Sequence, residues 1–144
     1  MPRDDRLLGT PSLLKLILSL SAIYLGGVGL ALTFVPLKFG VGAVPQDASP
    51  QLVALLRLLG APFLGIAVLN CLSRNAAASA LRAALLANLV GFGAVAANDL
   101  WGVASGEARE IAKAFLVLHL LFTAAFAFAV RTTRGGSADR LRRE

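Results

Sequence analysis

The sequence predicts an all-α fold: an integral-membrane, antiparallel four-helix bundle. Three observations predict it. Four apolar stretches, at 13–35, 51–73, 76–100 and 111–131, each hold about 20 residues or more, the length an α-helix needs to cross roughly 30 Å of hydrocarbon. The chain of 144 residues is 57% hydrophobic and only 15% charged. Within 81–95 only Arg82 and Asn88 are strongly polar, whereas a helix of a soluble bundle would turn a polar face outward at every turn. Four spans with short loops leave no length for a separate soluble domain, so residues 13–131 are read as one bundle between a short N-terminal tail at 1–12 and a basic, irregular tail at 132–144.

The first span is too long for the 7–15-residue apolar core of a signal peptide and is expected to stay as a membrane anchor. It stops at Pro36, which lacks the N–H that a continuing helix needs. Turn chemistry in Val44-Pro45-Gln46-Asp47-Ala48-Ser49-Pro50 separates it from the second span. The second span carries Pro62 between Gly60 and Gly65, where a kink is expected. It ends at Ser73-Arg74-Asn75, a turn short enough to make the second and third spans antiparallel neighbours. The third span closes at Asp99 and Leu100, with Trp101 at the depth of an aromatic belt. The fourth span opens at Glu110 and Ile111 and leads into the basic tail.

Charge sets the orientation. Ten of the 14 Lys and Arg residues lie in the N-terminal region, around Arg74 and in the C-terminal region, against Lys38, Arg109 and Lys113 in the opposite loops. The positive-inside rule places both termini in the cytoplasm. The formal net charge of +6 is thereby assigned to topology and headgroup contact, and nucleic acid is not expected as a partner. A single cysteine, Cys71, excludes an intrachain disulfide and any multi-cysteine metal site.

Small residues predict close packing, because lipid gives no hydrophobic drive for helices to associate. Gly26, Gly27, Gly29 and Ala31 mark the first span, and Gly60, Ala61 and Gly65 the second. Ala83, Ala87 and Gly91 form one stripe of the third. Such faces suit a compact bundle, a homo-oligomer or a membrane-protein partner.

Polar residues at membrane depth are the candidates for function. Counting 1.5 Å per residue along the spans puts Tyr24 about 17 Å and Asn88 about 18 Å from the inner boundary, and His119 about 12 Å from the outer one. Tyr24, Asn88 and His119 therefore form a candidate midplane ligand pocket, and His119 shares a helix face with Phe115, Phe122 and Phe126. The alternative is structural: the three satisfy one another or nearby carbonyls and set helix register. A low-spin haem takes two axial histidines, and the chain has one, so no cofactor is expected; bound lipid or quinone is the ligand class that fits. Arg57, Asp99 and Glu110 form a second, outer polar cluster, either an ion-paired clip between helices or an anion-binding mouth. Lys15 and Arg82 sit in the inner third and are expected to snorkel to headgroup phosphates, with Asn70 and Ser73 near enough to join them.

The run Leu56-Arg57-Leu58-Leu59-Gly60-Ala61-Pro62-Phe63-Leu64-Gly65-Ile66-Ala67-Val68-Leu69-Asn70, followed by Arg74, resembles small bacterial four-helix membrane proteins of the DoxX-like and related unknown-function groups. So does Gly29 to Pro36 followed by Phe39-Gly40-Val41. The likeness covers most of the first two spans, about a third of the chain; the last two match in layout. It implies an accessory role beside membrane redox complexes, some of them quinone-linked. The expected function is a non-enzymatic accessory or assembly subunit, or a bundle that binds lipid or quinone. The alternatives are a small oligomeric channel or transporter with Arg57, Asn88 and His119 along its path, and a quinone-linked redox subunit relying on His119.

Overall fold

The computed structural model describes the backbone of residues 6–141 and the side chains of residues 12–133. Among these, every regular element is helical: α1 (Arg6–Phe34), the single-turn α2 (Pro36–Phe39), α3 (Pro50–Ser73), α4 (Ala78–Ser105) and α5 (Ala112–Leu141). Four of them are long and apolar enough to cross a membrane, over Ser12–Phe34, Pro50–Ser73, Ala78–Ala104 and Ala112–Thr133. The chain divides into two compact units, one of residues 18–74 and one joining the start of α1 to the chain after Arg74.

In the first unit, the rest of α1 pairs with α3. Their contacts run in opposite order along the chain: Ser21 meets Asn70, Gly26 approaches Ala67, and Gly29 meets Gly60. The pair is therefore antiparallel. Its tightest point is the crossing at Gly29 and Gly60. A Cβ on Gly29 would lie 2.9 Å from the Gly60 carbonyl oxygen, and one on Gly60 would lie 2.7 Å from the Gly29 oxygen. Only glycine on both sides allows the backbones so close. Thr33, one turn further along α1, donates its hydroxyl hydrogen to the Gly29 carbonyl at 2.8 Å.

Local chemistry sets the ends. Val35, with φ −134° and ψ 48°, leaves the helical region just before Pro36, because proline crowds a helical residue on its N-terminal side. Ser49 caps α3 by accepting the Leu52 N–H at 3.3 Å, with Pro50 at the first helical position, where a missing N–H costs nothing. α3 runs through Pro62 as one helix. At its other end Arg74 donates to the Cys71 carbonyl at 2.9 Å, to Ser19 Oγ at 3.1 Å and to Cys71 Sγ at 3.0 Å. That fork ties the end of α3 to α1.

In the second unit, α4 and α5 form a helical hairpin. Asp99 meets His119, Gly93 approaches Thr123, and Phe92 lies on Phe126, again in opposite order. α4 stops at Gly106, whose φ of +75° is the left-handed cap that glycine adopts without the penalty a Cβ imposes. Phe126, Ala129, Leu85 and Phe92 are buried along the hairpin.

Three boundaries differ from the sequence reading. α1 begins at Arg6, inside the stretch 1–12 read as a tail. α4 continues five residues past Leu100, since nothing before Gly106 stops it. α5 runs to Leu141, through most of the tail read as irregular; once a span is helical, each added residue gains a backbone bond without a new nucleus.

Candidate functional site

The α4–α5 hairpin holds the most distinctive polar contact of the protein. His119 Nδ1 lies 2.6 Å from Asp99 Oδ2, and the two side chains are 10% and 17% exposed. Asp99 stands six residues before the end of α4 and His119 seven residues into α5, so the pair lies about 10 Å below the hairpin turn at 1.5 Å per residue. Helix geometry explains why they meet. Both are ten residues from Arg109, and in an antiparallel hairpin residues equidistant from the turn face each other. Phe92 and Phe126, each seventeen residues from Arg109, obey the same relation.

Aromatic rings extend the pair in both directions. Phe115, one turn toward the hairpin end, stacks on the imidazole at 6.2 Å, and the Arg109 guanidinium lies over that ring at 5.8 Å. Phe92 approaches the imidazole from α4 at 6.1 Å and stacks on Phe122 at 4.6 Å and on Phe126 at 5.6 Å. Such ring pairs add about 0.5–1.5 kcal/mol each beyond the area they bury. The column thus runs from a cation at the loop, through an imidazole–carboxylate pair, to the stacked rings of Phe92, Phe122 and Phe126. A charged carboxylate costs roughly 2.5–3.5 kcal/mol to insert at the centre of a span and less toward its end, and a hydrogen bond to His119 offsets part of such a cost. Among the described residues, no three His, Cys, Asp or Glu side chains gather as a metal site.

The residues singled out from sequence are distributed differently from the two levels expected. Asp99, read as part of the outer cluster, joins His119, read as part of the midplane pocket. Asn88 is buried and donates to the Ala84 carbonyl at 2.8 Å. It lies eleven residues before Asp99 on α4, about 16 Å along the axis, so Asn88 and His119 occupy different levels of the hairpin. Depth counting ends α4 at Leu100; its extension to Ser105 carries Asp99 below the turn, to the level of His119. Tyr24 is half-buried on α1. Arg57 is exposed on α3, and Glu110 binds Lys113 at 2.8 Å with both side chains open to solvent, a contact of about 0–1 kcal/mol at most. Lys15 and Arg82 are exposed on α1 and α4, compatible with reaching headgroups.

Asn70 and Ser73, read as possible headgroup contacts, are buried instead. Asn70 donates to Ser21 Oγ at 3.0 Å, and Ser21 donates to the Leu18 carbonyl at 3.0 Å. This polar clip between α1 and α3 was missed because Ser21 is small and reads as an ordinary small residue of a span. Phe92 was missed because it lies on α4 and the aromatic stripe was traced along α5 alone. The signal that would have found both contacts in the hairpin is equidistance from the turn.

Comparison with known protein families, with characterised proteins and with solved structures finds no match to this chain.

Proposed function

We propose that this is a small non-enzymatic protein of a bacterial inner membrane, with both termini in the cytoplasm, that holds the head of a lipid or quinone against the α4–α5 hairpin, acting as an accessory subunit to a membrane partner or a second copy of itself. One observation carries the reading: a carboxylate–imidazole pair, almost closed from solvent, set in a column of aromatic rings. An ionisable pair at membrane depth marks a functional site by default, because the bilayer makes it expensive to keep. The pair offers hydrogen bonding to a polar head, and the half-buried Phe115 offers flat apolar surface to the part behind it. The resemblance of the first two spans to DoxX-like proteins supports an accessory role.

Native mass spectrometry from mild detergent tests this. The wild-type protein is expected to retain a lipid or quinone adduct, and His119→Ala to lose it while helix content and copy number stay unchanged. An equal adduct on both proteins would place the ligand elsewhere.

A further inference from the structure

We infer that Arg57 holds the phosphate of a membrane phospholipid beside the α1–α3 pair. The inference needs the membrane placement proposed above and is independent of the ligand at the α4–α5 hairpin. The acids expected beside Arg57 from sequence are engaged elsewhere: Asp99 with His119 and Glu110 with Lys113. Arg57 is exposed, and no hydrogen bond or ion pair reaches it among the described residues. Within residues 18–74 the only acid is Asp47, itself exposed in the loop before α3. A guanidinium keeps its proton at every accessible pH, so this charge needs an anion that the α1–α3 pair does not supply.

Helix pairing fixes the level of that charge. Gly60 lies against the turn of α1 from Gly29 to Thr33. Arg57 is three residues earlier on the antiparallel helix, about 4.5 Å further toward the connecting loop. That step brings it level with Phe34, where α1 and the first apolar span both end. Arg57 therefore stands at the rim of the hydrocarbon, within a side chain's reach of the phosphate level. Side-chain direction adds to this. The Cα–Cβ bonds of an α-helix tilt toward its N-terminus. For α3 that is the Pro50 end, so the Arg57 side chain sets out toward the headgroups.

The surroundings fit a lipid. Leu55, Leu58 and Leu59 are exposed around Arg57 and present an apolar surface to acyl chains. The guanidinium fork matches the oxygens of a phosphate with two parallel N–H donors. A phospholipid brings both halves in one molecule, at the level where Arg57 stands. A carboxylate from a partner protein would first have to be carried to that level, at an insertion cost of its own.

Photocrosslinking tests this in the full chain. A photoreactive amino acid replaces Leu58, next to Arg57, and the protein is placed in lipid nanodiscs of phosphatidylglycerol that contain diacylglycerol with the same acyl chains. The two lipids differ only in the phosphate-bearing headgroup. Adducts are identified by mass spectrometry, and the same label at Val68, exposed deeper on α3, is the control.

The expected result is an adduct ratio at position 58 about tenfold richer in phosphatidylglycerol than the ratio at position 68, as for one charge-assisted bond gained. Arg57→Leu, which continues the apolar surface, is expected to bring position 58 back to the ratio at 68. Arg57→Lys, which keeps the charge without the fork, is expected to retain part of the enrichment. His119→Ala is expected to leave it intact, which separates this site from the hairpin ligand. Equal ratios at the two positions with Arg57 in place overturn the inference without any variant having to fold. So does an enrichment that survives Arg57→Leu. A crosslink from position 58 to a second protein chain that depends on Arg57 overturns it as well, and assigns the charge to a carboxylate partner.

Discussion

Replacing Gly60 by alanine pushes a methyl group into the backbone of the neighbouring helix. The new Cβ would lie 2.7 Å from the Gly29 carbonyl oxygen and 3.1 Å from the Thr33 nitrogen. Both atoms belong to α1 backbone, so the clash remains even if the Thr33 hydroxyl, which lies nearer still, rotates away. The helices must separate by several tenths of an ångström at their closest point, which loosens the packing on either side of the crossing. Overpacking of this kind costs roughly 1–3 kcal/mol. Alanine recovers up to about 1 kcal/mol of helix propensity relative to glycine, leaving a net loss of up to about 2 kcal/mol. Gly65, five residues further along the same helix, is the control: a Cβ there meets nothing within 4 Å, so Gly65→Ala is expected to be neutral or stabilising by up to about 1 kcal/mol. Gly29→Ala should resemble Gly60→Ala, and the double variant should lose less than the sum, because the first methyl already parts the helices. Reversible unfolding in mixed micelles, followed by circular dichroism, measures all four. Equal stability of Gly60→Ala and Gly65→Ala would refute the crossing.

Other perturbations probe other contacts. A double-mutant cycle of Ser21→Ala and Asn70→Ala should give a coupling of about 0.6 kcal/mol, with about 1.7 as the upper end for such bonds in membranes; no coupling would remove the polar clip between α1 and α3. Phe92→Ala should destabilise the protein by about 3 kcal/mol, since it empties a buried ring site against Phe122 and Phe126, and Phe92→Leu should recover most of that; unfolding midpoints in the same micelles check both. Gly106→Ala places a Cβ at φ +75° and should cost about 1 kcal/mol, read from the same curves; an unchanged midpoint would mean that α4 does not end in a left-handed cap.

Sequence alone carried the four long helices and some of their ends. Pro36 and Ser49 with Pro50 are local signals, each acting through its own backbone within one turn; Gly106, the equally local signal that ends α4, was passed over in favour of Leu100. The four apolar lengths are equally local, because a span is counted along one chain segment. Pairing was harder. Gly29 and Gly60 were visible as small residues, but so were Gly27, Gly65 and Gly91, where a Cβ would meet nothing within 4 Å; which glycine faces a helix depends on rotation about the helix axis, and a uniformly apolar helix has almost no amphipathic signal to fix it. Depth was the weakest inference. It placed Asp99 at a span end and His119 deep inside, yet they share one level, because a five-residue extension of α4 shifts the register by about 7.5 Å. The polar residues could be singled out from sequence because the cost of burying them in lipid is a property of residue type.

A photoreactive amino acid in place of Phe115, beside His119, tests the central claim most directly. The protein would be irradiated in native membranes and its adducts identified by mass spectrometry, with the same residue at Leu121, 63% exposed on α5, as the lipid-facing control. The account predicts a single lipid or quinone enriched at position 115, and lost when His119 is replaced by alanine. Adducts at 115 that match the bulk phospholipid mixture found at 121, and that persist without His119, would contradict it.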